Sequence, residues 1–205
     1  MPKKMTLAVK RVFDIFFSLI LTLLLFPVCI ITARAVKIFV SRTESPIFTQ
    51  MQIGKNGNLF KIYKFRTIDP KSTDEVRIIP KFGAFLRRSK LDEFPQMLNI
   101  LKGDMSFVGP RPYQPKDCIG IDARRNSVRP GLTGLGQVNG NTMLDMPTRL
   151  KYDLYYIDNF SLWLDMKILC KTIFVVIFGE HVSADIRIFC LDLSVLSRVF
   201  SAKTG

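Results

Sequence analysis

Residues 89–112, SKLDEFPQMLNILKGDMSFVGPRP, carry the features that most constrain the fold. Pro95 marks a helix start, because proline is tolerated in the first helical turn, where its missing N–H would have no partner. With Asp92 as the N-cap, Pro95 falls at the third helical position, whereas Ser89 as the N-cap would place it deeper and kink the helix. We therefore predict a helix that starts at Asp92 and ends just before Gly103.

Two adjacent carboxylates, Asp92 and Glu93, lie at this predicted helix start. A plain N-cap, worth ~1 kcal/mol, is the simplest interpretation. However, a helix N-terminus also keeps a carboxylate ionised and attracts anions. A carboxylate ~4 Å from a phosphate charge is repelled by ~1 kcal/mol in water and ~4 kcal/mol at an effective dielectric constant of 20, so cations must offset the repulsion. The candidates are Arg87, Arg88, Lys90 and Arg111, the last between two prolines.

The same carboxylates offer the oxygen ligands that Mg²⁺ prefers. A divalent ion would offset the repulsion further, together with the arginines. Asp92 and Glu93 are therefore predicted as metal ligands, and together with the cations and the apolar segment near the N-terminus they point to phosphoryl-type transfer.

The composition limits the class of protein and of partner. The 205 residues are 48% hydrophobic, too many for a disordered chain and enough for a substantial core. The net charge of +13 predicts an anionic partner such as nucleic acid, anionic lipid or a phosphorylated small molecule. The four cysteines lack metal-ligand spacing and predict reduced thiols, and the single histidine excludes mechanisms that need two.

Near the N-terminus, residues 15–33 form an uncharged run, IFFSLILTLLLFPVCIITA. As a helix it would be about 28 Å long at ~1.5 Å per residue, just short of the ~30 Å hydrocarbon core. Basic residues flank both ends, so the preference of positive charge for the cytoplasmic side gives no single orientation. Pro27 removes one helical hydrogen bond and favours a kink. These features favour a re-entrant helix-break-helix within residues 1–40.

Two other interpretations of this run stay open. One is a straight membrane span, and the other is a cleaved signal peptide, supported by the A-x-A pattern of Ala33, Arg34 and Ala35. The remaining chain is predicted as one catalytic unit, residues 41–184, followed by a tail, residues 185–205, whose role the sequence does not indicate.

Residues 47–67, IFTQMQIGKNGNLFKIYKFRT, predict a β-hairpin with a short glycine-containing loop. Alternation along the second strand puts four side chains on one face, apolar at its start and cationic at its end. They are Phe60, Ile62, Lys64 and Arg66. A solvated strand end and a phosphate contact both explain the two cations.

Farther along, the sequence predicts a short helix at residues 82–88 and a loop-rich segment over residues 118–141, where glycine and proline recur. Residues 160–178 are strongly apolar and predict a helix, either buried or lying in a membrane interface.

The segment LDEFPQMLNILKGDMSFVGPRP closely resembles the signature of the bacterial sugar transferases, the monotopic polyprenyl-phosphate phosphoglycosyl transferases. The resemblance extends in order over residues 8–182. The other matching segments are KRVFD from Lys10, the proline-broken apolar run, the hairpin segment, VRPGLTGLGQVNG from Val128 and KYDLYYIDNFSLWLDMKIL from Lys151.

The resemblance implies a helix-rich α/β unit on a re-entrant helix, monotopic in the bacterial inner membrane and facing the cytoplasm. It implies transfer of a sugar-1-phosphate from a UDP-sugar to undecaprenyl phosphate, with release of UMP. Asp92 would attack the phosphorus and become a covalent intermediate, and Glu93 would help to hold Mg²⁺. Matching positions imply phosphate or nucleotide contacts for Lys64, Arg66, Arg87, Arg111 and Arg129. Membrane lipid is an expected partner, a homodimer is possible and nucleic acid is not expected.

The sequence departs from the family pattern at Phe26, where a serine often precedes the proline, and at Leu135 and Gly136, where tryptophan and alanine are common. Three other functions are alternatives for this sequence: a non-catalytic membrane scaffold, an acylphosphate hydrolase and a membrane-tethered nucleic-acid binder. Retention of Asp92 and Glu93 disfavours the scaffold. The aromatic residues lie mostly in apolar runs, which disfavours base stacking in a basic groove.

Overall fold

The structure, a computed structural model, describes residues 4–73, 76–118 and 121–178. The elements run in the order α1 (Lys4–Phe39), β1 (Ile47–Ile53), β2 (Leu59–Phe65), α2 (Lys81–Arg88), α3 (Met97–Lys102), β3 (Ser106–Val108), β4 (Gly131–Thr133), α4 (Met146–Asp158) and α5 (Leu162–Phe178). Short 3-10 helices join several of them. This is the mixed, helix-rich α/β class that the sequence predicts. The predicted tail at residues 185–205 lies outside the described residues.

α1 runs without interruption from Lys4 to Phe39, with Pro27 inside it. The predicted helix-break-helix is thus one continuous helix, because an interior proline removes a hydrogen bond and bends a helix without having to end it. Within the described part of the chain, this helix alone is long and apolar enough to cross a membrane, judged by length and composition. Its re-entrant path stays a prediction.

Both ends of α1 pack against the rest of the molecule. At the C-terminal end, Val36 and Val40 are buried with Phe65 and Leu86. Toward the other end, one face packs against two further core clusters through Leu7 and Leu21. Between these regions, five of the six residues 23–28 are exposed. The helix is therefore held at both ends, and its proline-containing middle is the least covered part.

β1 and β2 form the predicted antiparallel hairpin, with Phe48 opposite Lys64 and Gln50 opposite Ile62. A 3-10 turn at Lys55–Gly57 joins the strands. Phe60 and Ile62 are buried against a cluster of Met97, Ile100 and Met105. The hairpin face that the alternation predicts is therefore confirmed at its apolar end.

β3 and β4 pair in parallel, with Ser106 opposite Gly131 and Val108 opposite Thr133. The sequence predicted a loop-rich segment over residues 118–141 and missed β4, because a three-residue strand beginning with glycine carries no alternation to detect. Glycine is required at this close approach: a Cβ on Gly131 would lie 2.1 Å from the Gly109 nitrogen. Around this sheet, Val108 belongs to the largest core cluster, with Leu135, Val138, Tyr156 and Ile168 among its members.

α5 has one buried face and one exposed apolar face, so neither of the two alternatives for residues 160–178 describes it fully. Leu164 and Ile168 enter the core. Exposed apolar side chains on the outer face include Trp163, Met166, Ile173 and Ile177.

One buried ion pair and several hydrogen bonds connect α1 to the later elements. Lys10 pairs with Asp165 of α5 at 2.7 Å, and the Tyr156 hydroxyl donates to the same carboxylate at 2.7 Å. Asp14 accepts hydrogen bonds from the Ser106 hydroxyl and the Phe107 N–H of β3, both at 3.1 Å. A polar group buried in this way costs little only when it is paired, so α1 forms part of the core.

Candidate active site

The turn that carries Asp92 differs from the prediction. Leu91–Gln96 form a 3-10 helix, and α3 begins only at Met97. Lys90, in the left-handed conformation at φ 58°, sets the turn after α2, and Asp92 makes no side-chain capping bond. The prediction of an N-cap was wrong because the first turn of a helix is often 3-10 and no local signal marks a left-handed lysine. The predicted helix end is confirmed, since Gly103 adopts φ 94°.

A cavity of about 410 Å³ opens between the hairpin, the Asp92 turn and the loops that follow β3 and β4. Its polar lining includes Lys64, Glu93, Gln96, Arg111, Gln137 and Arg149. Lys64 Nζ lies 3.2 Å from Glu93 Oε1, so these two predicted site residues form an ion pair at the cavity wall. Arg111 faces the same space from the loop after β3. The structure thus brings together three side chains that are far apart in the sequence.

Asp92 lies beside Glu93 but does not itself line the cavity. The residue is only 9% exposed, and its Oδ1 has no hydrogen-bond partner among the described residues. Burial, reinforced by the charge of Glu93, raises the pKa of Asp92 from 3.8 to about 6, and nearby Lys64, Lys90 and Arg87 oppose the rise. Burial therefore outweighs any effect of the helix N-terminus on this pKa, although a pKa of about 6 still leaves Asp92 mostly ionised at pH 7.

Arg87 lies close enough to Asp92 to favour its ionised form. Its Nε donates to the Thr67 hydroxyl at 2.8 Å, which fixes the guanidinium beside the Asp92 turn. Arg88, the next residue, is exposed. The helix α2 therefore directs one of its two terminal arginines toward the site.

Two predicted phosphate ligands lie elsewhere. Arg66 follows the end of β2 and binds the Ser45 carbonyl at 2.9 Å and Glu44 at 3.4 Å. Arg129 donates to the Gly103 carbonyl at 2.7 Å, at the C-terminus of α3. Neither lines the cavity. Carbonyls at the end of a helix lack intrahelical partners, so an arginine there closes the helix.

A family model described as bacterial sugar transferase matches residues 5–179, which is most of the chain. The chain belongs to the bacterial sugar transferase family. It is therefore a transferase enzyme, and the resemblance noted from the sequence is confirmed.

Relatives in this family have named activities. A Bacillus subtilis sugar transferase, EpsL, itself uncharacterised, is 38% identical over 194 residues, covering 86% of this chain and 94% of the relative. The UDP-glucose:undecaprenyl-phosphate glucose-1-phosphate transferase of Klebsiella pneumoniae is 38% identical over 185 residues, covering 80% of this chain and 39% of the relative. An Aeromonas hydrophila UDP-N-acetylgalactosamine-undecaprenyl-phosphate N-acetylgalactosaminephosphotransferase is 37% identical over 199 residues, covering 87% and 46%. The chain thus spans less than half the length of the last two.

In this sugar transferase, several residues in the cavity wall or behind it carry no strong sequence signal. Arg149 lines the cavity from α4. Asn141 accepts a hydrogen bond from Arg111 Nη1 at 3.0 Å. Arg125 and Asp153 form a buried ion pair behind the Arg111 loop, at 2.9 Å. Only the glycine-rich surroundings of Asn141 hint at an unusual backbone position, since the other contacts are long-range.

The carboxylates fit a magnesium ion. No group of three or more histidine, cysteine, aspartate or glutamate side chains suited to a metal occurs within the described ranges. Mg²⁺, however, commonly uses one or two carboxylates and completes its shell with water and substrate phosphates. The unpartnered buried oxygen of Asp92, with the carboxylate of Glu93 next to it, supplies such a pair. These are the two residues that would hold the ion.

Proposed function

We propose that this chain transfers a sugar-1-phosphate from a UDP-sugar to undecaprenyl phosphate and releases UMP, through a covalent intermediate on Asp92. The observation that carries the proposal is the placement of Asp92 beside a cavity lined by Glu93, Lys64 and Arg111. The names of the Klebsiella and Aeromonas relatives support the donor and acceptor classes.

The reaction has two displacements at one phosphorus. In the first, a carboxylate oxygen of Asp92 bonds to the phosphorus that carries the sugar, and the bridging P–O bond breaks toward the nucleotide, which leaves as UMP. In the second, a phosphate oxygen of undecaprenyl phosphate bonds to that phosphorus and the Asp92–phosphorus bond breaks, which restores the carboxylate. Covalent catalysis divides one difficult transfer into two steps and lets a soluble donor and a lipid acceptor use one site in turn.

The cations of the site offset the charge of the diphosphate. Lys64 and Arg111 lie at the cavity wall, and Arg87 lies close enough to Asp92 to favour its ionised form. Positioned cations are worth most at a site where charge develops and water is sparse. Mg²⁺, when held by Asp92 and Glu93, supplies further charge neutralisation at the phosphates.

Membrane attachment places the site at the level of the acceptor's phosphate. The exposed apolar surface of α1 and of the outer face of α5 suits contact with lipid. Both ends of α1 contact the globular part, so we place both ends on one side of the bacterial inner membrane, facing the cytoplasm.

UMP release from a panel of UDP-sugars, with and without undecaprenyl phosphate, tests this function. With the correct donor and no acceptor, intact-mass analysis should find a phosphosugar adduct, mapped to Asp92. Asp92→Asn should abolish the adduct and turnover. Asp158→Asn, the same change at an exposed position at the end of α4, is the matched control and should retain both. Near-normal turnover of Asp92→Asn would contradict the covalent mechanism.

A further inference from the structure

Backbone hydrogen bonds fix both ends of the loop that carries Arg111. The Gly131 N–H of β4 donates to the Pro110 carbonyl at 2.9 Å, and the Ile53 N–H of β1 donates to the Tyr113 carbonyl at 2.9 Å. The loop therefore joins the parallel sheet to the hairpin. These bonds hold the loop ends but leave the middle of the loop and the Arg111 side chain to other contacts.

A buried arginine holds the middle of the loop. Arg125 Nη2 donates to the Arg111 carbonyl at 2.6 Å. The side chain of Arg125 is 2% exposed, and its guanidinium lies 4.2 Å from the centroid of the Tyr113 ring. Asp153 Oδ2 accepts from Arg125 Nε at 3.1 Å and Nη2 at 2.9 Å. Because a buried ion pair is tolerated only when its remaining hydrogen-bonding groups are satisfied, the Arg111 carbonyl is part of what keeps this pair in place.

Asn141 holds the other end of Arg111. Its Oδ1 accepts from Arg111 Nη1 at 3.0 Å. The φ of Asn141 is 45°, in the left-handed region that asparagine adopts more readily than most residues. Because the acceptor is a neutral amide, it orients the guanidinium without neutralising its charge. The full positive charge of Arg111 therefore remains for an anionic ligand.

We propose that Asn141, Arg125 and Asp153 are positioning residues that hold the Arg111 guanidinium at the cavity before a diphosphate ligand arrives. The inference rests on the proposed function and specifies how its phosphate-binding cation is preorganised. A cation fixed in advance stabilises new charge without reorganising, and it binds a ligand more tightly because less ordering accompanies binding. If these residues only stabilised the fold, their effects would not depend on Arg111.

A double-mutant cycle separates the two roles. The variants are Asn141→Gly, Arg111→Ala and the double variant, where glycine removes the carboxamide and still allows the left-handed backbone. The measurements are the affinity for UDP, by calorimetry in detergent, and kcat/KM for UMP release. Asn141→Gly should lower both by about tenfold in the wild-type background and by less than twofold in the Arg111→Ala background. Asp153→Asn should show the same dependence on Arg111.

Asn56→Gly is the matched control, because Asn56 also adopts a positive φ, 58°, but lies at the hairpin tip. It should change neither quantity. Thermal unfolding midpoints identify any variant that fails to fold, and if Asp153→Asn is one, the Asn141 cycle decides alone. If Asn141→Gly lowers UDP affinity and kcat/KM equally with and without Arg111, the positioning role is overturned. The proposed function would still stand in that case, provided that the wild-type protein releases UMP. A wild-type protein that neither binds UDP nor releases UMP overturns both.

Discussion

Asp92 combines two requirements that oppose each other. It must be ionised to attack phosphorus, yet it is 9% exposed, and burial raises its pKa to about 6. A buried carboxylate at neutral pH is poorly solvated, so it is a more reactive nucleophile and a less stable side chain than an exposed one. Both consequences can be measured.

The first concerns activity. The second-order rate constant for the single turnover that releases UMP without acceptor should rise between pH 5 and 7 with a midpoint near 6, because it reports the free enzyme and only ionised Asp92 attacks. The acceptor is left out because the second ionisation of a phosphate monoester also has a pKa near 6. A flat profile over this range would show that Asp92 does not limit the first displacement.

The second concerns stability. A pKa raised on folding means that protonation favours the folded state, so stability is lost as pH rises from 3.8 through about 6. The loss corresponds to roughly 3 kcal/mol when complete. Asp92→Asn should therefore raise the thermal unfolding midpoint in detergent at pH 7.5, with the gain vanishing near pH 4. Asp158→Asn should give no such pH-dependent gain, and an Asp92→Asn variant without it would contradict the assigned burial cost.

The two arginines Arg111 and Arg88 allow a comparison of a fixed cation with a solvated one. Arg111→Ala should lower turnover by about 10²–10³-fold, by analogy with the loss of one preorganised donor. Arg111→Lys should recover little, because lysine lacks the forked guanidinium. Arg88, exposed at the end of α2, should tolerate alanine with at most a few-fold loss. Equal losses for Arg111→Ala and Arg88→Ala would mean that the basic residues act as a diffuse field.

For single residues, the local sequence pattern predicts the position of some side chains in the site but not of others. Lys64 reaches the cavity because alternation along a strand fixes the face of each residue. Arg66, just beyond the end of β2, lies over the Phe48 ring on the same face, but its partners are the Ser45 carbonyl and Glu44, which alternation cannot predict. Arg129 belongs to a family motif, but its partner is the Gly103 carbonyl, 26 positions away. Such long-range contacts, like that of Arg125 with Asp153, have no local signature.

At the scale of elements, the hairpin and the helices were predictable, because hydrophobic periodicity marks the elements themselves and glycines mark the turns and helix ends between them. The parallel pair β3–β4 was not, since Gly109 and Gly131 join it through close backbone approach rather than side-chain pattern. This pair carries the Arg111 loop at one edge of the cavity. Its glycines therefore help to position the Arg111 loop as well as to form the sheet.

Alanine substitutions at Gly131 and Gly136 should differ in their effect on stability, because only Gly131 lies too close to other backbone atoms for a Cβ. Gly131→Ala places a Cβ 2.1 Å from the Gly109 nitrogen and should destabilise the protein by at least about 2–3 kcal/mol, because backbone must move. Gly136→Ala places its Cβ 3.7 Å from the Tyr152 Cβ, an ordinary contact, and should change stability by less than about 1 kcal/mol. Unfolding midpoints of the two variants in the same detergent test this. A loss of stability for Gly131→Ala as small as that expected for Gly136→Ala would mean that the sheet tolerates a Cβ at Gly131.

For the whole molecule, the path of α1 relates the globular part to the membrane. Lys10 contacts α5 and Val36 packs against α2 and β2, so the globular part lies beside both ends of the helix. A straight transbilayer helix would carry one of these ends, with its basic residues and contacts, to the far side. A helix that enters one leaflet through its exposed middle, residues 23–28, avoids this.

Cysteine labelling tests the arrangement. In a chain whose four native cysteines are replaced, Met5→Cys and Arg42→Cys place probes just outside the two ends of the apolar segment. An impermeant maleimide should label neither in intact cells and both after permeabilisation. Lys116→Cys, exposed in the globular part, is the control for the cytoplasmic side. Labelling of one end alone in intact cells would establish a straight span.

α1 leaves the ribosome long before its polar partners are made. Lys10 precedes Asp165 by 155 positions, and Asp14 precedes Ser106 by 92. At about 5–20 residues per second, translation takes roughly 8–30 s to reach Asp165 after Lys10. During that interval the charges of the nascent helix lack these partners, and burying an unpaired charge in hydrocarbon is costly. The end of α1 that carries Lys10 and Asp14 must therefore remain hydrated until the chain is nearly complete, whereas the uncharged residues 15–33 can enter the lipid earlier.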